Sequence, residues 1–339
     1  MISDLHLGSR LQRGVLPHPE PLARLLAALS GGDRLILLGD VVELGEGRPA
    51  RSLRIAEPVL RALGRRVGTQ GEIVLVPGNH DLGLVRAWVR ARADELRVET
   101  QLPADASPVL ARVTELLAPA RVRVSYPGVW VAEGVWATHG HYLDRHLLPS
   151  STFGVLRGLL GRQPGEASTP ADYELAGGPS VTRLETRLTS ALPQPLATLV
   201  EAAAELARAA SMPSAPRLLA PSMSPLTARV LGLQMRRVSI PALARVVHNL
   251  EIDARWVLFG HVHRLGPLAA DRPEDWQAPG GRTRIANTGS WVYEPLLLHR
   301  ARPPHPYWPG GGLRIEETGE PRAVSLLDDL DVAALTGSR

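Results

Sequence analysis

The chain has 339 residues, 44% of them apolar and 21% charged, enough to bury a large core as one elaborated domain or as a domain with a subdomain. All 38 cationic side chains are arginine, the formal net charge is only +4, and the arginines are scattered rather than massed, so a nucleic-acid partner is not indicated. The absence of cysteine excludes disulfides, thiolate metal sites and cysteine nucleophiles together, and leaves nitrogen and oxygen as the only strong metal donors.

Met1-Ile2-Ser3 reads as the end of a core strand, short against the usual five or six residues, so the given sequence is expected to start inside that strand. It runs directly into Asp4-Leu5-His6-Leu7-Gly8. Leu22, Leu25, Leu26 and Leu29 recur at helical spacing over residues 20–30, with Gly31-Gly32 closing the helix. Residues 34–38 form the next strand and deliver Gly39-Asp40-Val41-Val42-Glu43. A helix over 51–67, entered or kinked at Pro58, leads to the apolar run Ile73-Val74-Leu75-Val76, which Pro77 ends ahead of Gly78-Asn79-His80-Asp81. Strand, helix, strand is a βαβ layout. In the last of these turns Gly78 is read as the flexible residue that lets its neighbours face a crevice.

Helices are predicted over 84–96 and 108–117, the second with Val109, Leu110, Val113, Leu116 and Leu117 along one side. The period then drops to two. Residues 121–125 alternate Arg and Val, and Val129-Trp130-Val131 and Val135-Trp136-Ala137 follow across turn residues, which predicts an antiparallel meander ending in Thr138-His139-Gly140-His141. From 142 to 250 proline, serine and glycine clusters separate helical segments. One carries Leu196, Leu199, Val200, Ala203, Leu206 and Ala207 in a stripe, and its Glu201, Glu205 and Arg208 argue against a membrane span. With no apolar run near the roughly 18 residues of a span and no leader-like start, a cytoplasmic protein without a transmembrane segment is expected. Residues 256–259 return to strand character and deliver Gly260-His261-Val262-His263; 283–286 end in Asn287-Thr288-Gly289, and 313–327 form a hairpin around Thr318-Gly319. The expected organisation is a core made of 1–141 and 251–327, a helical cap inserted at 142–250, and a frayed tail at 328–339.

Five strand ends carry histidine, aspartate or asparagine: Asp4/His6, Asp40, Asn79/His80, His139/His141 and His261/His263. One histidine after a strand is ordinarily a satisfied turn residue. Five such ends, in a fold class that presents ligands at the carboxyl ends of strands, point to one shared crevice. In an extended segment residues i and i+2 face the same way, so Asp-x-His and His-x-His offer two donors to one metal or one donor to each of two. A carboxylate such as Asp40 can bridge two cations. Imidazole, carboxylate and amide donors together suit Mn²⁺, Fe or Zn²⁺, and two such ions about 3.5–4 Å apart stabilise a phosphoryl transition state.

In order, Asp-x-His, Gly-Asp-x-x-Glu, Gly-Asn-His-Asp, His-Gly-His and Gly-His-x-His closely resemble the calcineurin-like metallophosphoesterase superfamily, over residues 1–141 and 251–327. The resemblance implies an α/β fold, a four-layer α/β/β/α sandwich of two mixed sheets, here with a helical cap insertion. It implies two divalent metal ions, Mn²⁺ or Fe/Zn, the first held by Asp4, His6 and His263, the second by Asn79, His139 and His261, with Asp40 shared. It further implies in-line attack on phosphorus by a metal-bridging hydroxide, with His80 off the metals as general acid. Many members have aspartate where this chain has Glu43, so the orienting of His80 falls to Glu43 or to Asp81. His139 directly follows its strand and is the expected ligand of the His-Gly-His pair, which leaves His141 to support the ligands or touch substrate. The cap's position is similar to that in UDP-2,3-diacylglucosamine pyrophosphatases. That implies a small phosphorylated, nucleotide-linked or lipid-linked substrate and peripheral membrane contact, although the apolar stripes of the cap fit simple packing onto the body better than an acyl-binding groove. A nuclease of the same superfamily and a non-catalytic scaffold are the competing readings; scattered arginines weigh against the first and a complete ligand set against the second.

Overall fold

Two mixed sheets lie face to face at the centre of the computed structural model, which describes residues 1–29, 34–45, 48–146, 168–175, 239–298, 301–316 and 318–337. The first contains β1 (Arg34–Leu38), β2 (Glu72–Val76), β3 (Thr100–Leu102) and β4 (Arg121–Tyr126) in the order β1-β2-β4-β3. Here β2 runs parallel to β1 and β4, and β3 is antiparallel to β4. Ile2 adds a parallel bridge to Leu37 beside β1. The second sheet orders β5 (Gly128–Ala132), β6 (Val135–Thr138), β7 (Trp256–Phe259), β8 (Leu265–Gly266) and β9 (Arg284–Thr288) as β5-β6-β7-β9-β8. Its β6, β7 and β9 are parallel, and β5 and β8 pair antiparallel at the edges. The predicted hairpin is present as β10 (Gly311–Ile315) and β11 (Pro321–Ser325).

Strand alternation builds the layers. Leu35 and Leu37 of β1 and Ile73 and Leu75 of β2 pack against α1 (Pro19–Ala28), α2 (Pro49–Val67), α3 (Arg86–Ala91) and α4 (Pro108–Leu116) through Leu25, Leu60, Val89 and Val113. Ile36, Leu38, Val74 and Val76 point the other way and meet Val129, Val135, Ala137 and Leu258 of the second sheet. On the far face Trp136, Val257, Phe259 and Ile285 share a cluster with Tyr173 of α5 (Pro170–Leu175) and with Ile240, Leu243 and Val246 of α6 (Ile240–Asn249). Helix, sheet, sheet, helix leaves the central strands covered on both faces, which is why they read as continuous apolar runs. Each fully buried leucine or valine there contributes roughly 1.5–3 kcal/mol.

Several expectations change. The strand at 121–126 does not join a meander: it lies in the first sheet parallel to β2, with Val124 on the helix side, and the chain crosses to the second sheet at Pro127. Alternation reports one apolar face, not the partner strand. The helix expected over 84–96 is six residues of α-helix between two short 3-10 turns, although Leu84, Val85, Val89 and Leu96 are all buried as their spacing requires. Helix α6 falls inside the 142–250 stretch yet packs as the outer layer of the second sheet. At the carboxyl end Val332–Thr336 forms a helix whose N-cap Asp331 accepts from Ala334 N at 2.8 Å, and Leu330 and Leu335 join the first core, so this segment is not frayed. The Gly31-Gly32 helix end, the alanine-rich stripe at 196–207 and most of the expected cap lie outside the described residues. Among the described residues no helix is long and apolar enough to cross a membrane.

Candidate metal centre

Parallel pairing brings the ends of β1, β2, β6 and β7 to one edge, and the turns beyond them are laced together by their backbones. Asp4 N donates to Gly39 O at 3.0 Å, His6 N to Asp40 O at 2.9 Å, and Gly260 N to His139 O at 2.9 Å. Side chains add to the lacing: Asp40 Oδ1 accepts from His80 N at 2.9 Å, and Asp4 Oδ2 from His261 N at 3.0 Å. Asp4, His6, Asp40, His261 and His263 all have positive φ, between 44° and 68°, and only Gln12 and Glu251 join them among the described non-glycine residues. The paired donors therefore do not converge by the i, i+2 rule of an extended strand. In the Asp4/His6 and His261/His263 pairs they converge because the backbone turns left-handed at both members, a conformation that costs a non-glycine residue about 1–3 kcal/mol and gathers at functional sites.

The donor atoms face one another. His139 Nδ1 stands 3.0 Å from Leu38 O, and since a carbonyl only accepts, Nδ1 carries the hydrogen. In its neutral form the ring turns the Nε2 lone pair toward Asp40 Oδ2 at 3.2 Å and Asn79 Oδ1 at 3.1 Å. Three acceptors in contact repel until a positive charge lies among them. Burial alone would lower the His139 pKa, yet the Asp40 carboxylate and its hydrogen bond, with the Asp4 charge, carry it up to about 10. The same field attracts a cation.

His6 repeats the pattern. Its Nδ1 donates to Glu43 Oε2 at 3.2 Å, and its buried Nε2, without a hydrogen-bond partner, faces Asp40 Oδ2 at 3.8 Å and Asp4 Oδ1 at 4.0 Å. Asp4 Oδ1 is likewise buried and without a hydrogen bond, and meets His263 Nε2 at ion-pair distance, 3.2 Å. Asp4, His6 and His263 form one group, and Asp40, His139 and His261 another, whose ligand atoms all lie within 4.8 Å of each other. Asp40 Oδ2 faces both. Orphaned lone pairs on imidazole and carboxylate are what a divalent transition ion takes, so the residues present fit such ions.

His6, Glu43 and His80 form a third close group, but here the lone pairs are already used. Glu43 Oε2 stands 2.7 Å from His80 Nδ1 and 3.2 Å from His6 Nδ1. Burial would raise the Glu43 pKa, but the hydrogen bonds from His6 and His80 bring it to about 2. Burial would lower that of His80, and Glu43 and Asp40 lift it to about 9. The contact to His80 left open between Glu43 and Asp81 is made by Glu43. Asp81 is fully buried and accepts from Gly78 N at 2.6 Å, Val41 N at 2.8 Å and Asp40 N at 3.3 Å, tying two motif turns together. Burial and the Asp40 charge raise its pKa to about 6.

Gly78 is not in the left-handed region, so backbone freedom is not its use. A Cβ there would lie 2.6 Å from His139 Cδ2 and closer still to Asp40 Oδ1; the glycine provides clearance for the donors. His141 lies outside the three groups. Its Nε2 is 3.2 Å from the Tyr126 hydroxyl, which donates to Glu174 of α5. Burial lowers the His141 pKa to about 3, with His139 and His261 adding to the effect.

Motif reading missed Ser3, whose hydroxyl contacts Asp4 Oδ2 and lies 2.5 Å from Thr288 Oγ1, and Asp144, whose Oδ1 is 3.0 Å from His261 Nε2. Ser3 could have been flagged by adjacency to Asp4; nothing local marks Asp144.

Two facing mixed sheets with this nitrogen and oxygen donor set at their strand ends define a metal-dependent phosphoesterase. The family model of the calcineurin-like phosphoesterases matches residues 1–265, and the chain belongs to that family. Comparison with curated proteins gave no match.

Proposed function

We propose that the chain hydrolyses a phosphoester or pyrophosphate bond with two divalent cations, Mn²⁺ or Fe/Zn, the first on Asp4, His6 and His263, the second on Asn79, His139 and His261, with Asp40 shared. The observation that carries this is the convergence of two imidazole nitrogens on Asp40 Oδ2 from opposite groups, the unpartnered His6 Nε2 at 3.8 Å and His139 Nε2 at 3.2 Å. When bound, such a pair acidifies a water and neutralises charge on phosphoryl oxygens. His80 keeps its Nδ1 hydrogen on Glu43, so Nε2 is left to carry a proton to the leaving oxygen, and in the cation-free centre Glu43 and Asp40 outweigh burial and favour that proton. Asp81 holds the Asp40 and Gly78 turns at fixed spacing through three backbone hydrogen bonds.

The cap inserted between His139 and His261 is assigned substrate selection, for a small phosphorylated molecule carrying a nucleotide or a lipid. Its support is the cap's place in the sequence and its apolar helical stripes. The test is a hydrolysis panel of the full chain reconstituted with Mn²⁺, Fe²⁺ or Zn²⁺, over a monoester, a diester, a nucleotide-diphospho-lipid and single-stranded DNA. Cation-dependent turnover, fastest on the nucleotide-diphospho-lipid, is expected. Turnover of DNA alone would make the chain a nuclease, and no bound cation with no turnover would make it a scaffold.

A further inference from the structure

A histidine that gives one nitrogen to a cation is held by what its other nitrogen does. For two histidines of this centre that second contact is made by an acceptor: His139 Nδ1 by the Leu38 carbonyl at 3.0 Å, and His6 Nδ1 by Glu43 at 3.2 Å, both leaving Nε2 to face the carboxylates. His261 has the opposite arrangement. Its Nε2 stands 3.0 Å from Asp144 Oδ1, across 117 residues of chain, and Nδ1 is the nitrogen left over. Asp144 belongs to the 3-10 turn His141–His146, whose Tyr142 and Leu143 are buried in the cluster that contains α6. The turn is thus anchored from below while its carboxylate reaches back over the centre.

We propose that Asp144 is a positioning residue for the metal centre: it accepts a hydrogen bond from His261 Nε2–H and so fixes the tautomer that presents Nδ1 to the cation. This rests on the assignment of His261 as a ligand. Asp144 lies at the start of the 142–250 stretch, so the cap then contributes to cation binding as well as to substrate selection. His261 itself is held from two directions, its backbone N by Asp4 Oδ2 at 3.0 Å and its ring by Asp144. Loss of the ring contact leaves the backbone in place and frees the imidazole to rotate and to exchange tautomers.

The experiment titrates the cation-free full chain with Mn²⁺ and with Zn²⁺ against a chelating dye, for the wild type, Asp144→Ala, Asp144→Asn and His261→Ala, with the melting temperature of each cation-free protein measured alongside. Asp144→Ala is expected to weaken one binding event about 10- to 100-fold while the cation-free melting temperature stays within about 2 °C. Asp144→Asn keeps an amide oxygen as acceptor and is expected to recover most of that affinity. If His261→Ala weakens binding and Asp144→Ala does not, the positioning role is wrong and the centre stands. If His261→Ala binds as the wild type does, the ligand assignment itself is wrong. If Asp144→Ala and Asp144→Asn lower the cation-free melting temperature alike and affinity falls equally in both, the contact is structural and the proposal fails.

Discussion

Glu43 Oε2 stands 2.7 Å from His80 Nδ1, and the carboxylate is buried to 1% exposure. The same oxygen holds His6 Nδ1 at 3.2 Å, so one carboxylate orients both the proposed proton donor and a proposed ligand. Glu43→Ala is expected to lower kcat on a small diester about 10²- to 10³-fold with little change in KM, and to weaken cation binding through His6. Glu43→Gln retains one acceptor oxygen for two N–H donors and is expected to fall between. Steady-state kinetics with cation content measured on the same samples checks this; an Ala variant within threefold of the wild type would remove the orienting role.

His80 and Asp40 separate the two kinds of residue in the centre. His80→Ala is expected to keep its cations and lose about 10²- to 10⁴-fold in turnover, since only proton delivery is removed. Asp40→Ala removes the carboxylate that faces both groups, 3.8 Å from His6 Nε2 and 3.2 Å from His139 Nε2, and is expected to lose cation and activity together. Metal analysis after dialysis distinguishes them. A metal-free His80 variant or a fully active Asp40 variant would each show a misassigned residue.

Residues 35–38, 73–76 and 256–259 were legible as strands because burial on both faces makes them unbroken apolar runs bounded by glycine or proline. Membership of β4 in the first sheet was not, because alternation along Arg121–Tyr126 says nothing about the neighbouring strand. Asp40, Asn79, His139 and His261 stand out in sequence because each closes a strand inside an ordered motif. The left-handed backbone at Asp4, His6, Asp40, His261 and His263 did not, since local preference assigns that conformation to glycine and only tertiary contacts hold it here. Asp144 and Glu174 were illegible for the same reason: their partners His261 and Tyr126 are brought to them by the fold, not by spacing.

Asp81 is a stability residue by its contacts. Asp81→Ala strips the acceptor from three buried backbone N–H groups, of Gly78, Val41 and Asp40, and each unpaired donor costs about 1–3 kcal/mol. A loss of about 3–5 kcal/mol is expected for the cation-free chain in urea denaturation. Asp81→Asn turns an NH₂ toward one of those donors and is expected to recover part of the loss. An Ala variant within about 0.5 kcal/mol of the wild type would mean that the turns are held elsewhere.

Gly78→Ala places a methyl 2.6 Å from His139 Cδ2 and nearer still to Asp40 Oδ1, so either the donors move or the turn does. Cation affinity is expected to fall at least tenfold, with a stability loss of about 1–3 kcal/mol from overpacking. Gly83, five residues on, is the control: a Cβ there meets Leu44 Cδ1 at 3.5 Å, an ordinary contact. Gly83→Ala is expected to bind cation as the wild type does. Equal effects at the two positions would point to the loop as a whole rather than to clearance at the donors.

Excision of residues 180–235, replaced by a short Gly/Ser linker, separates the two parts proposed for the cap. The excision keeps Asp144, which contacts His261, and Glu174, which receives the Tyr126 hydroxyl hydrogen bond and ties α5 to His141. Cation affinity and turnover of a small generic diester are therefore expected within about threefold of the full chain, because every described contact to the centre survives. Preference for a nucleotide-linked or lipid-linked substrate over that diester is expected to fall by an order of magnitude or more, since the removed segments carry the apolar stripes. Equal loss on all substrates, read as kcat/KM across the same panel, would assign the excised part to packing and move substrate selection onto the body.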